Sequence, residues 1–248
     1  MRPDESGRGR HERRSHLESR TSVITMGLMP KPRTVAERQA RVQEILRRLD
    51  QAYPNARCAL EHKDAWQLLV ATILSAQCTD KRVNLVTPGL FRKYPTIQDM
   101  AAVRPAVLEK DIQSTGFFRN KTRSLIGAAK KILADFGGRV PDTMEEMLQI
   151  PGAARKTANV VLGTWFGKAT GVVVDTHVQR IAGRLDLTKE KDPAKIERDL
   201  MKILPREKWV EFSHQIIHHG RQVCDARKPA CSRCNLESLC YSKDKILA

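Results

Sequence analysis

Apolar residues recur along most of this chain at three- and four-residue intervals, the period of one helical face, with polar residues between them. Thr34 with Glu37 three residues on has the form of a capping box, and Val42, Ile45, Leu46 and Leu49 follow at helical spacing until Pro54 stops the run. Asp64 predicts a cap for the apolar segment Trp66 to Leu74. Thr96 and Asp99 mark another start, and Pro105 opens a helix that ends before Gly116. Leu125, Ile126, Ala129, Ile132 and Leu133 outline a further helix closed by Gly137-Gly138. Asp142 with Glu145 predicts the start of the segment holding Met144, Met147 and Leu148, while Asp192-Pro193 starts one holding Ile196, Leu200 and Ile203. Only Val172 to Val174 has the composition of a strand. Seven or more capped helices, no alternating strands and no internal repeat predict an all-α protein.

The chain has 248 residues, 41% of them hydrophobic, enough to bury one large core or two modest ones. Its formal net charge of +16 changes the picture more, because a field of that sign gathers polyanions, nucleic acid first. No run approaches the roughly 18 consecutive apolar residues of a spanning helix, so a membrane partner is not expected. No secretion signal is visible, and a bacterial, cytoplasmic setting alongside the nucleoid is expected. Residues 1–33, with Arg8, Arg10, Arg13, Arg14 and Arg20 and few large apolar side chains, predict a disordered basic tail. Asp4, Glu5, Glu12 and Glu18 argue against a transit peptide there, which should be poor in acids.

Three features carry chemistry. Cys224, Cys231, Cys234 and Cys240 lie within seventeen residues, and four thiolates brought together by short loops can hold one tetrahedral zinc or a [4Fe–4S] cluster. Structural disulfides fit poorly with a reducing compartment. The run Ile150 to Ala158 places Pro151-Gly152 between two helical patterns, so the second helix begins with free backbone N–H groups and a positive dipole end that can grip a phosphate without reading bases. Asp175, after Val172 to Val174 and before Thr176-His177, would cap the helix running toward Arg184. If Lys156 faces it across a cleft, the pair suits imine chemistry. The amine must then be neutral to attack carbon, which a desolvated setting favours.

The run Pro151 to Val161, then Val174-Asp-Thr-His177, then the four cysteines, with Leu74-Ser-Ala-Gln-Cys-Thr-Asp80 upstream, resembles the endonuclease III family of base-excision-repair DNA glycosylases and abasic-site (AP) lyases from about Thr34 onward. The resemblance implies a helix–hairpin–helix glycosylase fold. Residues 58–168 would form a six-helix barrel lobe with the hairpin near 144–166. Residues 34–57 and 169–248 would form a lobe around the cysteines, with a cleft between the two. It implies Lys156 as the nucleophile, Asp175 as its acid–base and electrostatic partner, and a [4Fe–4S] cluster on Cys224, Cys231, Cys234 and Cys240. Gln77 matches the position that fills the emptied space in the duplex, and Phe117 in Thr115-Gly-Phe-Phe-Arg119 matches the wedge, although a core aromatic is the competing reading. Gly152, Ala154, Arg155, Arg227 and Lys228 fall where DNA phosphate would be held. The expected substrate is double-stranded DNA containing oxidised pyrimidines or abasic sites, cut 3′ to the site by β-elimination, with the protein acting as a monomer.

One departure and three rivals accompany this reading. The hairpin usually reads Pro-Gly-Val-Gly, and Ala153-Ala154 stands here instead. If position 154 needs positive φ or close approach to phosphate, weaker DNA binding or turnover is expected. Cys58 and Cys78 read as ordinary helix residues, and His214, His218 and His219 as hydrogen-bonding ones. An adenine-specific relative is disfavoured by Lys156 and by the chain end at Ala248, and an 8-oxoguanine glycosylase by the cysteine quartet. A non-catalytic DNA-binding paralogue is opposed by Lys156 and Asp175 together.

Overall fold

A computed structural model describes residues 29–247 of the chain. Most of the expected basic tail, residues 1–28, therefore lies outside the described residues. Its last part is packed rather than free: the Met29 amide donates to the Ser238 carbonyl at 2.9 Å, and the Tyr241 hydroxyl donates to the Pro30 carbonyl at 2.9 Å.

Eleven α-helices make up the ordered framework of the described residues, with no strand among them. They are α1 (Val35–Ala52), α2 (Ala65–Leu74), α3 (Asp80–Lys93), α4 (Ile97–Ala102), α5 (Pro105–Ile112), α6 (Phe118–Phe136), α7 (Met144–Met147), α8 (Arg155–Thr164), α9 (Thr176–Arg184), α10 (Pro193–Ile203) and α11 (Trp209–Gln222). The caps explain the boundaries. Thr34 and Glu37 close a full capping box on α1, as Thr96 and Asp99 do on α4, while Asp64 caps α2 and Asp192 caps α10. Gly137, in the left-handed region at φ 59°, ends α6.

Two expectations are corrected and one helix is added. The cap of α7 is Thr143, which accepts from the Glu146 amide. Asp142 instead pairs with the Lys168 ammonium at 2.6 Å, so the pattern was one residue out of step. Val172 to Val174 are buried but form no strand, because no second extended segment runs beside them. The Val173 amide donates to the Ser213 hydroxyl at 3.0 Å instead. Helix α3 was not anticipated: Pro88 reads as a breaker, yet it is tolerated at an exposed position.

The buried apolar side chains fall into two clusters. One runs from Leu60 to Leu162 through α2 to α8. The other joins Val42, Ile45, Leu46 and Leu49 of α1 to Val172, Val174, α9, α10, α11 and the terminal residues Leu236 and Leu239. The chain crosses from the first cluster to the second between α8 and α9, the two helices that carry Lys156 and follow Asp175.

Candidate functional site

The hairpin between α7 and α8 is built by Gly152, whose φ of 84° suits only a residue without a β-carbon. A β-carbon there would also lie 2.8 Å from that of Ser124 on α6. The Ala153 amide closes the turn on the Ile150 carbonyl at 3.0 Å, and Ala153 is buried beneath it. Ala154, the N-cap of α8, is extended at φ −65° and ψ 167°, so the backbone strain considered for this position does not exist. Its side chain offers no cap, which leaves the first N–H groups of α8 open to an external acceptor.

Lys156 occupies the first turn of α8 and is exposed. The desolvation expected of it is thus absent from the free protein. Asp175 caps α9 by accepting from the amides of His177 and Val178, both at 2.8 Å and both on Oδ1, which leaves Oδ2 without a partner among the described residues. Lys156 and Asp175 line the same cavity of about 90 Å³, together with Asp80, His214 and Arg221. Arg221 of α11 reaches Asp80 at the start of α3 at 2.6 Å, an ion pair that spans the two clusters beside this cavity. Burial, and secondarily His218, pulls the His214 imidazole down to about 4, so a neutral ring faces the cavity at neutral pH.

Two exposed side chains outside the cavity stand on strained backbone. Gln77 at φ 53° and Phe117 at φ 49° are two of the three non-glycine residues with positive φ among the described residues. Phe117 is 61% exposed, which removes the core-aromatic reading. Arg155 is less free than expected: its Nε donates to Glu197 at 2.7 Å, and Glu197, 5% exposed, also accepts from Asn159 at 2.8 Å. That buried carboxylate on α10 fixes the flank of α8 beside Lys156, and sequence reasoning missed it because a Glu inside an amphipathic helix reads as surface. Arg227 and Lys228 are exposed, their loop turned by Asp225, which accepts both backbone amides at 2.8 and 3.0 Å.

Among the described residues, no group of three or more His, Cys, Asp or Glu side chains is placed to hold a single metal ion. Cys224, Cys231, Cys234 and Cys240 nevertheless line one cavity, and all four are free of disulfides. Burial pushes the Cys234 thiol up to about 12, so holding it as a thiolate calls for positive charge beside it. Arg184 donates to Cys224 Sγ at 3.2 Å and holds the carbonyls of Asp225 and Ala226 at 2.7 and 3.0 Å, which fixes the first turn of the cysteine loop.

An all-helical fold with an open hairpin N-terminus and a Lys–Asp pair at one cavity defines a class, and comparison with known proteins agrees. Residues 70–206 match the HhH-GPD superfamily of base excision DNA repair proteins. The endonuclease III of Synechocystis sp. is 55% identical over 210 residues, covering 85% of this chain and 96% of that protein. The endonuclease III of Escherichia coli is 36% identical over 208 residues, 84% and 98% of the two chains. A structure of a trapped endonuclease III–DNA covalent intermediate, the estranged-adenine complex, superposes with a TM-score of 0.79 at 40% identity, covering 82% of this chain and 95% of that one. The chain belongs to the endonuclease III family. It is an enzyme of base excision repair, a DNA glycosylase with the AP lyase activity typical of that family.

Proposed function

We propose that this enzyme removes oxidised pyrimidines from double-stranded DNA and then cuts the strand 3′ to the abasic site, with Lys156 as nucleophile and Asp175 as its partner. The observation that carries the reading is the convergence of Lys156 and Asp175 on one cavity beside the open N-terminus of α8. The hairpin amides would hold a phosphate of the damaged strand, while the extruded nucleotide places C1′ against Lys156. Bound DNA would supply the desolvation that the exposed amine lacks in the free protein. Lys156 Nζ attacks C1′ as the base leaves, and Asp175 Oδ2, the carboxylate oxygen not used for capping, takes the ammonium proton and steadies the cationic sugar. Opening of the sugar ring gives the imine. Loss of a C2′ proton then expels the 3′ phosphate and breaks the strand.

Gln77 and Phe117 are assigned to the duplex itself, Gln77 filling the emptied position and Phe117 wedging the stack. Their exposure on left-handed backbone supports this, because a strained, solvent-facing polar residue and aromatic have no packing reason to be there. The four cysteines fit a [4Fe–4S] cluster better than zinc: they ring a common space without converging on one ion site, whereas zinc would draw the sulfurs to about 3.8 Å from one another. Cys224, Cys231, Cys234 and Cys240 would hold such a cluster, and their binding to it would tie together the loop that presents Arg227 and Lys228 to phosphate. The two apolar clusters correspond in this reading to a barrel lobe and a cysteine lobe, acting as a monomer on bacterial DNA.

A duplex carrying one thymine glycol tests the assignment of substrate. Release of the base with a break 3′ to the lesion is expected. Binding that leaves both base and strand intact contradicts it.

A further inference from the structure

Lys121 is a buried amine that the reaction above does not use. It lies in the first turns of α6 and is 4% exposed, and no carboxylate among the described residues pairs with it. Such a placement is unfavourable twice over. The charge is removed from water, and it sits near the positive end of a helix dipole. Burial draws the amine below the usual lysine range, the mark of that cost.

What offsets the cost is a pair of backbone acceptors. The Lys121 ammonium donates to the Leu74 carbonyl at 2.8 Å and to the Thr115 carbonyl at 2.7 Å. Leu74 is the last residue of α2, whose end carbonyls have no helical partner, and Thr115 is the last residue of the 3-10 turn that follows α5. Gln77 comes three residues after Leu74, and Phe117 two residues after Thr115. Each has left-handed backbone, Phe117 directly after Gly116 at φ 70°. One amine therefore holds the bases of both turns, 47 residues apart in the first instance and 6 in the second.

We propose that Lys121 is a positioning residue that clamps the Gln77 and Phe117 turns together and sets the separation at which their side chains enter the duplex. This rests on the assignment of Gln77 and Phe117 to the interior of the DNA. A rotatable ammonium between two carbonyls fixes distance without competing for phosphate, since it is closed off from solvent. A methionine of similar length would keep the packing and lose the clamp.

The test compares wild type, Lys121→Met and Lys121→Gln on one abasic oligonucleotide, single-stranded and in duplex, with 2-aminopurine opposite the site as reporter of stack opening. Lys121→Met is expected to slow duplex cleavage by roughly 10- to 100-fold, as misplacement of a positioning group does. Single-strand cleavage should be unchanged and the fluorescence rise lost. Lys121→Gln keeps a donor for one carbonyl and should show a smaller, equally duplex-specific loss, which preserves the test should Lys121→Met not accumulate folded. Equal losses on both substrates, or normal duplex cleavage with a normal fluorescence rise, overturn the proposal. Gln77→Ala and Phe117→Ala separate the two levels. If they leave duplex cleavage intact, the insertion reading fails and the proposal with it. If they lower it while Lys121→Met does not, the proposal alone fails.

Discussion

At the scale of single residues, Asp175 shows how one side chain serves structure and chemistry through different atoms. Oδ1 is occupied by two amides of α9, and Oδ2 is left for the cavity. Asn can cap a helix as well as Asp, so Asp175→Asn is expected to melt near wild type while losing about 10²- to 10⁴-fold in single-turnover base release. Asp175→Ala should lose the cap too, at about 1 kcal/mol in chemical unfolding. An Asn variant with wild-type turnover would remove the chemical role. The residues of the site differ in how well the sequence revealed them. Asp175 is itself a helix cap and Lys156 follows the Pro151-Gly152 turn, both local signals, so both could be placed on helix starts. Of the two conditions raised for Ala154, positive φ is not met, because the backbone there is extended, and a substitution by alanine says nothing of φ in advance. Lys121 and Glu197 were invisible for a common reason: each is a charged residue in a polar pattern, and only the tertiary fold turns it inward.

At the scale of elements, caps and apolar spacing located most helices, since both are local properties. What failed was longer in range. The valine run at 172 to 174 has strand composition but no neighbouring strand, and burial between α1, α9 and α11 gives such residues a use without a ladder. Helix α11 brings His214 against the Lys156 and Asp175 cavity, and there the fold makes a pH dependence. The ring's folded value near 4 lies below its ordinary 6.5, so the unfolded chain binds the proton first. The stabilising contribution is complete above about 6.5 and is lost as pH falls from there toward 4. His214→Gln should therefore flatten the decline in unfolding free energy between pH 7 and pH 5, of order 1 to 3 kcal/mol in the wild type with His219 sharing in it. The same decline in the variant would place its cause elsewhere.

At the scale of the whole molecule, two apolar clusters meet along the cavity that holds Lys156 and Asp175, and the chain carries a net charge of +16. Among the described residues no helix is long and apolar enough to cross a membrane, and the charge has a polyanionic partner in duplex DNA. Affinity for undamaged duplex should fall by at least about tenfold between roughly 50 and 200 mM salt, as released counterions require. A flat dependence, measured by fluorescence anisotropy, would deny the electrostatic footprint. The central claim is that Lys156 forms the covalent bond to the sugar, and borohydride trapping of duplexes carrying thymine glycol or an abasic site tests it most directly. A reduced protein–DNA adduct on both duplexes with the wild type, and on neither with Lys156→Ala, is the predicted result. An undiminished adduct with Lys156→Ala, or no adduct from wild-type protein that binds the DNA, would contradict it.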